Sequence, residues 1–266
     1  MNPSAPPHVE PQATRLPAIR PVGALACLGW LRQGLADLIA AWPVSLAHGV
    51  LFAGLGWLLV NRGWSDAHWG VAFTSGFLLV APVLATCYYA LSRARERGEA
   101  VTSLTRPFRL LGENGGSIAL FAVLLAMLFS LWERVTAIMV GLTLKADVFS
   151  YGHKAAFSYT ASLFEDPNHL PVVIGFFAVG AVFALIAFAV SAVALPMIVD
   201  RRADPVTALL TSLKAVRRNP LAMLVWAGTI ALLVGIGYVT MFIGLIVIFP
   251  LLGHATWHAY RNVVES

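Results

Sequence analysis

The feature that most limits this chain lies between Pro171 and Val199, where the stretch Val172–Ile198 contains no charged residue. A bilayer core about 30 Å thick is crossed by roughly 20 mostly apolar residues in a helix. In lipid every backbone polar group must find its partner within the segment, so a run of this kind reads as a membrane-spanning helix. Composition excludes the rival reading, a large soluble core. Hydrophobic residues make up 59% of the 266 and charged residues 12%, whereas a soluble domain carries about 25% charged residues.

Other runs follow the same logic. Val44–Val60, Gly70–Leu91 and Ser117–Leu142 each read as a span, the last interrupted late by Glu133 and Arg134. Leu221–Gly253 is longer than one span and reads as two helices, 221–236 and 238–258, breaking at Gly235-Ile236-Gly237. The expectation is an all-α polytopic transmembrane bundle of six spans in a single membrane domain, 22–266. Residues 1–21, with Pro3, Pro6, Pro7, Pro11, Pro17 and Pro21, read as a disordered proline-rich tail. They show no basic start, apolar run and cleavage site of a secretory signal, so the first span is expected to direct insertion.

Basic residues concentrate on the cytoplasmic side of membrane proteins. Here Arg15, Arg20 and Arg32 precede the first span and only Arg62 follows it. Arg93, Arg95, Arg97, Arg106 and Arg109 fill the second connection, and Arg201, Arg202, Lys214, Arg217 and Arg218 the fourth. The third carries Lys145 and Lys154 against Asp147, Glu165 and Asp166. Both termini, the latter with Arg261, are therefore expected in the cytoplasm of a bacterial inner membrane. The net charge of +5 falls where this rule puts it. Anionic inner-leaflet lipid is the implied partner, with other membrane proteins as further candidates and nucleic acid set aside.

A three-fold pattern runs through the chain. Amphipathic stretches Leu28–Ala41 and Pro205–Arg218 end at Trp42-Pro43 and Asn219-Pro220, and Leu104–Leu111 is a weaker version. Each reads as an interfacial helix leading into a transmembrane hairpin. The returning helices carry Pro82, Pro196 and Pro250, expected to kink them. Arg93 lies eleven residues beyond Pro82, and Arg261 lies at the same offset beyond Pro250.

Three blocks carry a resemblance. They are Gly76–Pro82 with Leu91–Glu99, then Leu195–Asp200 with Ala208–Ser212 and Asn219-Pro220, and lastly Pro250–Arg261. They resemble a bacterial family of integral membrane proteins, domain of unknown function 2189. More distantly, the middle block is similar to the membrane domain of some glycerophosphodiester phosphodiesterases. The resemblance implies six spans over nearly all the chain after the tail, with Pro250–Arg261 its most specific part, and it brings no activity. Some members are labelled cytochrome c oxidase subunit I. That chemistry needs roughly six intramembrane ligands, and only His48, His254 and His258 of the seven histidines lie in the spans.

Candidate polar residues are few. His254 and His258 share a helix face beside Trp257 and Tyr260 and read as interfacial anchors. Glu133 and Arg134 read as charges near the outer interface or, alternatively, as part of a substrate path or helix contact, and Asp200 as helix-end chemistry beside Arg201 and Arg202. Asp204 before Pro205 reads as an N-cap. Cys27 and Cys87 read as packing residues rather than a disulfide. Gly180, Ala184, Ala187 and Ser191 suggest close helix packing. No cofactor, metal or catalytic constellation is indicated. The expected role is a non-enzymatic accessory, assembly or scaffold component, with a small-solute transporter or channel as the alternative.

Overall fold

Prolines and small polar residues set where the helices begin. The computed structural model describes residues 16–63, 84–99, 112, 114–143 and 170–265. Among these the chain is helical, with only an isolated antiparallel bridge between Ile19 and Val264. Helix α1 (Ala26–Ala40) meets α2 (Trp42–Gly63) at Ala41, and Pro43 stands in the first turn of α2. The pair is bent by 102°. Residues 84–96 form α3. Then come α4 (Gly115–Thr143), α5 (Leu170–Ser191), α6 (Ala194–Arg201) and α7 (Pro205–Arg218). Helix α8 (Pro220–Val239) starts on its proline, whose missing N–H costs nothing there, and α9 (Leu245–Val263) closes the chain.

Three segments are long and apolar enough to cross a membrane: Gly115–Trp132, Phe177–Arg201 and Pro220–Val239. A fourth is added if the bent α1–α2 pair counts as one broken span. Six spans are not reached among the described residues. Helix α9, read above as the sixth, falls outside this set because His254, His258, Arg261 and Asn262 dilute its apolar length. Of the second span, 70–91, only the end from residue 84 is described. The Leu104–Leu111 stretch and Pro82 lie outside the described residues.

The fourth span is one apolar run in sequence but two helices in space, broken at Ala192-Val193. Pro196 accounts for the break, since a proline withholds its own N–H from the carbonyl four residues earlier. Ser212 of α7 repairs the opened turn. Its Oγ donates to the Ala189 carbonyl (2.8 Å) and accepts from the Val193 N–H (3.3 Å). A hydroxyl supplied by a neighbouring helix is the usual way a broken membrane helix satisfies its backbone. Ser212→Ala is expected to destabilise the fold by about 1–3 kcal/mol, the cost of orphaning buried polar groups. Unfolding titrated with a denaturing detergent measures it.

The break between α8 and α9 is displaced from Gly235-Ile236-Gly237. Helix α8 continues to Val239, and the chain turns over residues 240–244. Met241 and Phe242 both take positive φ there, 53° and 69°. Thr240 Oγ1 holds the turn by accepting the Gly244 N–H at 2.9 Å. Gly237 serves packing instead, since an added Cβ would lie 2.2 Å from Leu245 Cδ2.

Helix α1 has two apolar faces. Cys27, Trp30, Gly34 and Leu38 pack inward, chiefly on α9, while Leu25, Leu28, Leu35 and Ile39 are exposed. A helix of this design buries one apolar face in the fold and leaves the other free for lipid or a partner. The core holds the fully buried Trp257, Tyr88, Tyr260 and Phe121, with Trp30 edge-on to Trp226 at 5.7 Å. Residues 16–21, the end of the segment read as a tail, are fixed. Arg20 N–H donates to the Val263 carbonyl and the Glu265 N–H to that of Ala18. Asn219, at the α7–α8 junction, accepts from the Val22 N–H and donates to the Arg20 carbonyl.

Candidate functional site

Helices α3 and α9 bring their polar ends together, and two aspartates from other helices meet them. The first is Asp37 near the end of α1, buried by the packing of α1 on α9. Arg95 of α3 lies 3.0 Å from Asp37 Oδ1 and also donates to the Ala36 carbonyl. One guanidinium thereby answers a carboxylate and the negative end of the α1 dipole together. Asp37 Oδ2 accepts from Ser92 Oγ at 2.6 Å and from His258 Nε2 at 2.8 Å.

The chain of hydrogen bonds continues inward. Ser92 Oγ lies 2.8 Å from His254 Nδ1, and His254 Nε2 lies 3.0 Å from Ser45 Oγ of α2. Donor counting assigns the roles. Ser92 gives its proton to Asp37, so its oxygen accepts from Nδ1–H. Nε2 then accepts from the Ser45 hydroxyl, and a neutral imidazole satisfies every group. His254 is fully buried. It is no interfacial anchor, because the α1–α2 corner closes over it.

The second aspartate is Asp200 near the end of α6. Tyr260 Oη donates to its Oδ2 at 2.8 Å, and Arg201 Nε donates to Tyr260 Oη at 2.8 Å. Arg93 donates to the carbonyls of Val199 and Asp200 and approaches Oδ1 at 3.5 Å. Arg261 approaches Oδ2 at 3.6 Å. Arg93 and Arg261, equivalent in their offset from a proline, thus converge on one carboxylate. Arg261 also pairs with Glu96 at 3.3 Å, and Glu96 accepts from Trp257 Nε1 at 2.9 Å. Trp257 and Tyr260 are both buried, which corrects their reading as an interfacial belt. Asp200 does more than end a helix. It binds α3, α6 and α9 together.

Below this polar layer the fold becomes apolar. His48, one turn along α2 from Ser45, is buried with Nδ1 2.8 Å from the Val44 carbonyl. The Tyr88 ring lies 5.3 Å from the His254 ring and 6.4 Å from that of His48. Beneath them Phe52 of α2 and Phe249 of α9 stack at 3.5 Å, nearly parallel. Pro250 sits within α9 without ending it.

Other expected residues lie apart. The apolar window of α4 closes at Trp132, immediately before Glu133 and Arg134, and Arg134 is exposed. Gly180, Ala184, Ala187 and Ser191 line a cavity of about 400 Å³ where α5 packs against Trp132 of α4. A Cβ on Gly180 would stand 3.1 Å from the Trp132 ring. Cys27 and Cys87 are buried and unbridged. Among the described residues no group of three or more His, Cys, Asp or Glu side chains is placed to hold a metal ion. Asp37, Ser45 and Ser92 were missed. Asp37 interrupts the apolar face of an amphipathic stretch, the one signal that marks it.

Asp204 behaves as its sequence position predicts. Its Oδ1 accepts from the Thr207 N–H at 2.9 Å, with Pro205 opening α7. The hydrogen bonds from Thr207 hold its carboxyl below the ordinary value of 3.8. A lowered folded-state pKa contributes stability above the unfolded value, and that contribution is lost as pH falls through the folded value. Asp204→Ala is expected to cost about 1 kcal/mol at neutral pH. Thermal melts from pH 7 to pH 3 check this, with the gap between variant and parent narrowing in acid.

The apolar helices, joined at their ends by charge pairs, define a helical integral membrane protein. Residues 70–200 match the family described as predicted integral membrane protein, DUF2189. The match takes in Ser92, Arg93, Arg95, Glu96 and Asp200. Asp37 and the α9 histidines lie outside it, as does the Pro250–Arg261 block that seemed most specific. No curated protein and no solved structure matches the chain.

Proposed function

We propose that this is a multi-pass inner-membrane protein acting as a non-enzymatic accessory, assembly or scaffold component. Its basic ends face the cytoplasm, and six spans are arranged as three hairpins. The observation that supports a scaffold most is the internal pairing of the polar layer. Asp37, Glu96 and Asp200 meet Arg93, Arg95, Arg201 and Arg261 across the helix ends, with Arg95 and Glu96 at the exposed rim. Charges arranged this way brace helices against one another, while α4, α5 and α8 present apolar outer faces to lipid or to partner helices. Purification in mild detergent with crosslinking and mass spectrometry tests it. A reproducible membrane partner is expected, and consistent recovery of the chain alone counts against the scaffold. A reporter fused after Ser266 tests the orientation, and periplasmic activity there refutes both the inward C-terminus and the six-span count.

One observation favours the second reading, a small-solute transporter or channel. The polar layer does not stop at the ion pairs. It continues through Ser92, His254 and Ser45 into the interior. Ionisable chains within membrane proteins commonly lie on substrate or proton paths. Uptake of small solutes by vesicles containing the pure protein tests this reading.

A further inference from the structure

Five side chains from four helices form one unbroken series. His258 and Ser92 meet at Asp37 Oδ2 (2.8 and 2.6 Å), Ser92 meets His254 (2.8 Å), and His254 meets Ser45 (3.0 Å). All four separations lie within hydrogen-bond range. The outer end, His258, is partly exposed beside Arg95, and the inner end, Ser45, is fully buried. A staple between helices needs one such bond per helix pair. This series instead alternates hydroxyl, imidazole, hydroxyl and carboxylate, each able to take a proton on one side and release it on the other. We propose that the series is a proton relay between the surface at His258 and the membrane interior at Ser45, gated on its inner side by the Phe52–Phe249 stack. It rests on the transport reading.

The hop balances. His254 Nδ1–H passes its proton to Ser92 Oγ as the Ser92 hydroxyl proton moves to Asp37 Oδ2. The Ser45 hydroxyl proton moves to Nε2, and Ser45 is refilled from the interior side. Imidazole is neutral before and after, and its proton has changed nitrogen. The arriving proton neutralises Asp37, where Arg95 lies on Oδ1 and His258 on Oδ2, and Asp37 then releases it to solvent at the partly exposed His258 end. Inward of Ser45, His48 and Tyr88 are the titratable groups packed nearest, and below them the two stacked rings exclude water. Apolar constrictions of this type gate by dewetting.

The test uses the full chain in vesicles holding a pH-sensitive dye, with valinomycin and potassium to prevent charge build-up. Phe249→Ala removes one ring of the stack and is expected to dissipate an imposed pH gradient faster than the parent. Adding His254→Gln is expected to slow that flux about 100-fold, the low end of what a positioned proton-transfer group supplies. Ser92→Ala in the same background is expected to do likewise, while Ser92→Thr, which keeps the hydroxyl, preserves the flux. The relay is overturned if Phe249→Ala is no faster than the parent, or if its flux survives His254→Gln. Should these variants fail to fold, the ¹⁵N spectrum of His254 in the parent protein decides. A neutral ring protonated on Nδ1 supports the relay, and an imidazolium or an Nε2–H tautomer at neutral pH refutes it. Solute uptake that persists without His254-dependent proton flux removes the relay and leaves the transport reading standing.

Discussion

Asp37→Ala is expected to lower the stability of the fold by about 1–3 kcal/mol, the cost of leaving buried hydrogen-bonding groups unmade, since Arg95 on the rim can turn to solvent while Ser92 and His258 cannot. The size follows from what the carboxylate holds. It pairs with Arg95, and it accepts from Ser92 and His258. Alanine leaves the Ser92 and His258 donors facing a methyl group in a closed site, and leaving such groups unmade costs more than the bonds are worth when formed. The α1–α2 corner is the element that opens, because the Arg95 contact to the Ala36 carbonyl and Asp37 is what joins the end of α1 to α3. Asp37→Asn keeps an acceptor for Ser92 and loses the charge opposite Arg95, so it is expected to fall between parent and alanine. Thermal unfolding in detergent, followed by tryptophan fluorescence, reads the order parent, Asn, Ala. A cost below about 1 kcal/mol, the level of an exposed salt bridge, would show that Asp37 is solvated and that the corner is held elsewhere.

That aspartate also marks how far the sequence alone reaches. Apolar length and cation placement depend on composition within one segment, so helices over 44–60, 117–142 and 221–236 were legible, as was the Asp204-Pro205 cap. Partnerships between segments were not. His254 and His258 looked like interfacial rings because their partners, Ser92 and Ser45 for His254 and Asp37 for His258, stand more than 150 residues away in sequence. Ser45 and Ser92 carry no local signal, since a lone serine in an apolar run is ordinary. Glycine misled in a different way. The pair at 235 and 237 looked like a hinge, whereas Gly237 makes room for Leu245 and the turn is built from Thr240 with Met241 and Phe242 at positive φ. The offset of Arg93 and Arg261 from their prolines did carry three-dimensional information. Both residues reach Asp200.

The same distinction between hinge and clearance leads to the second large effect, at Gly49. Pro250 lacks an N–H, so the Ile246 carbonyl four residues earlier in α9 loses its helical partner. Helix α2 packs against α9 at this carbonyl, and a Cβ on Gly49 would lie 2.2 Å from the Ile246 oxygen. Only a glycine lets the two backbones approach this closely, where a Cα–H can face the freed oxygen. Gly49→Ala must push α2 and α9 apart, because the obstacle is backbone and no rotamer change removes it. The shift reaches both ends of that interface, the Phe52–Phe249 stack and the Ser45–His254 hydrogen bond. A cost of about 3 kcal/mol is expected, the upper part of the usual overpacking range. Gly54 of the same helix is the control, since nothing lies within 4 Å of a Cβ built there. Gly54→Ala is expected to be neutral or to stabilise by about 0.5–1 kcal/mol, the helix-propensity gain of alanine over glycine. Opposite signs for two identical substitutions five residues apart separate close packing from propensity. Equal effects in a detergent-denaturation series would show that α2 does not press on α9 at Gly49.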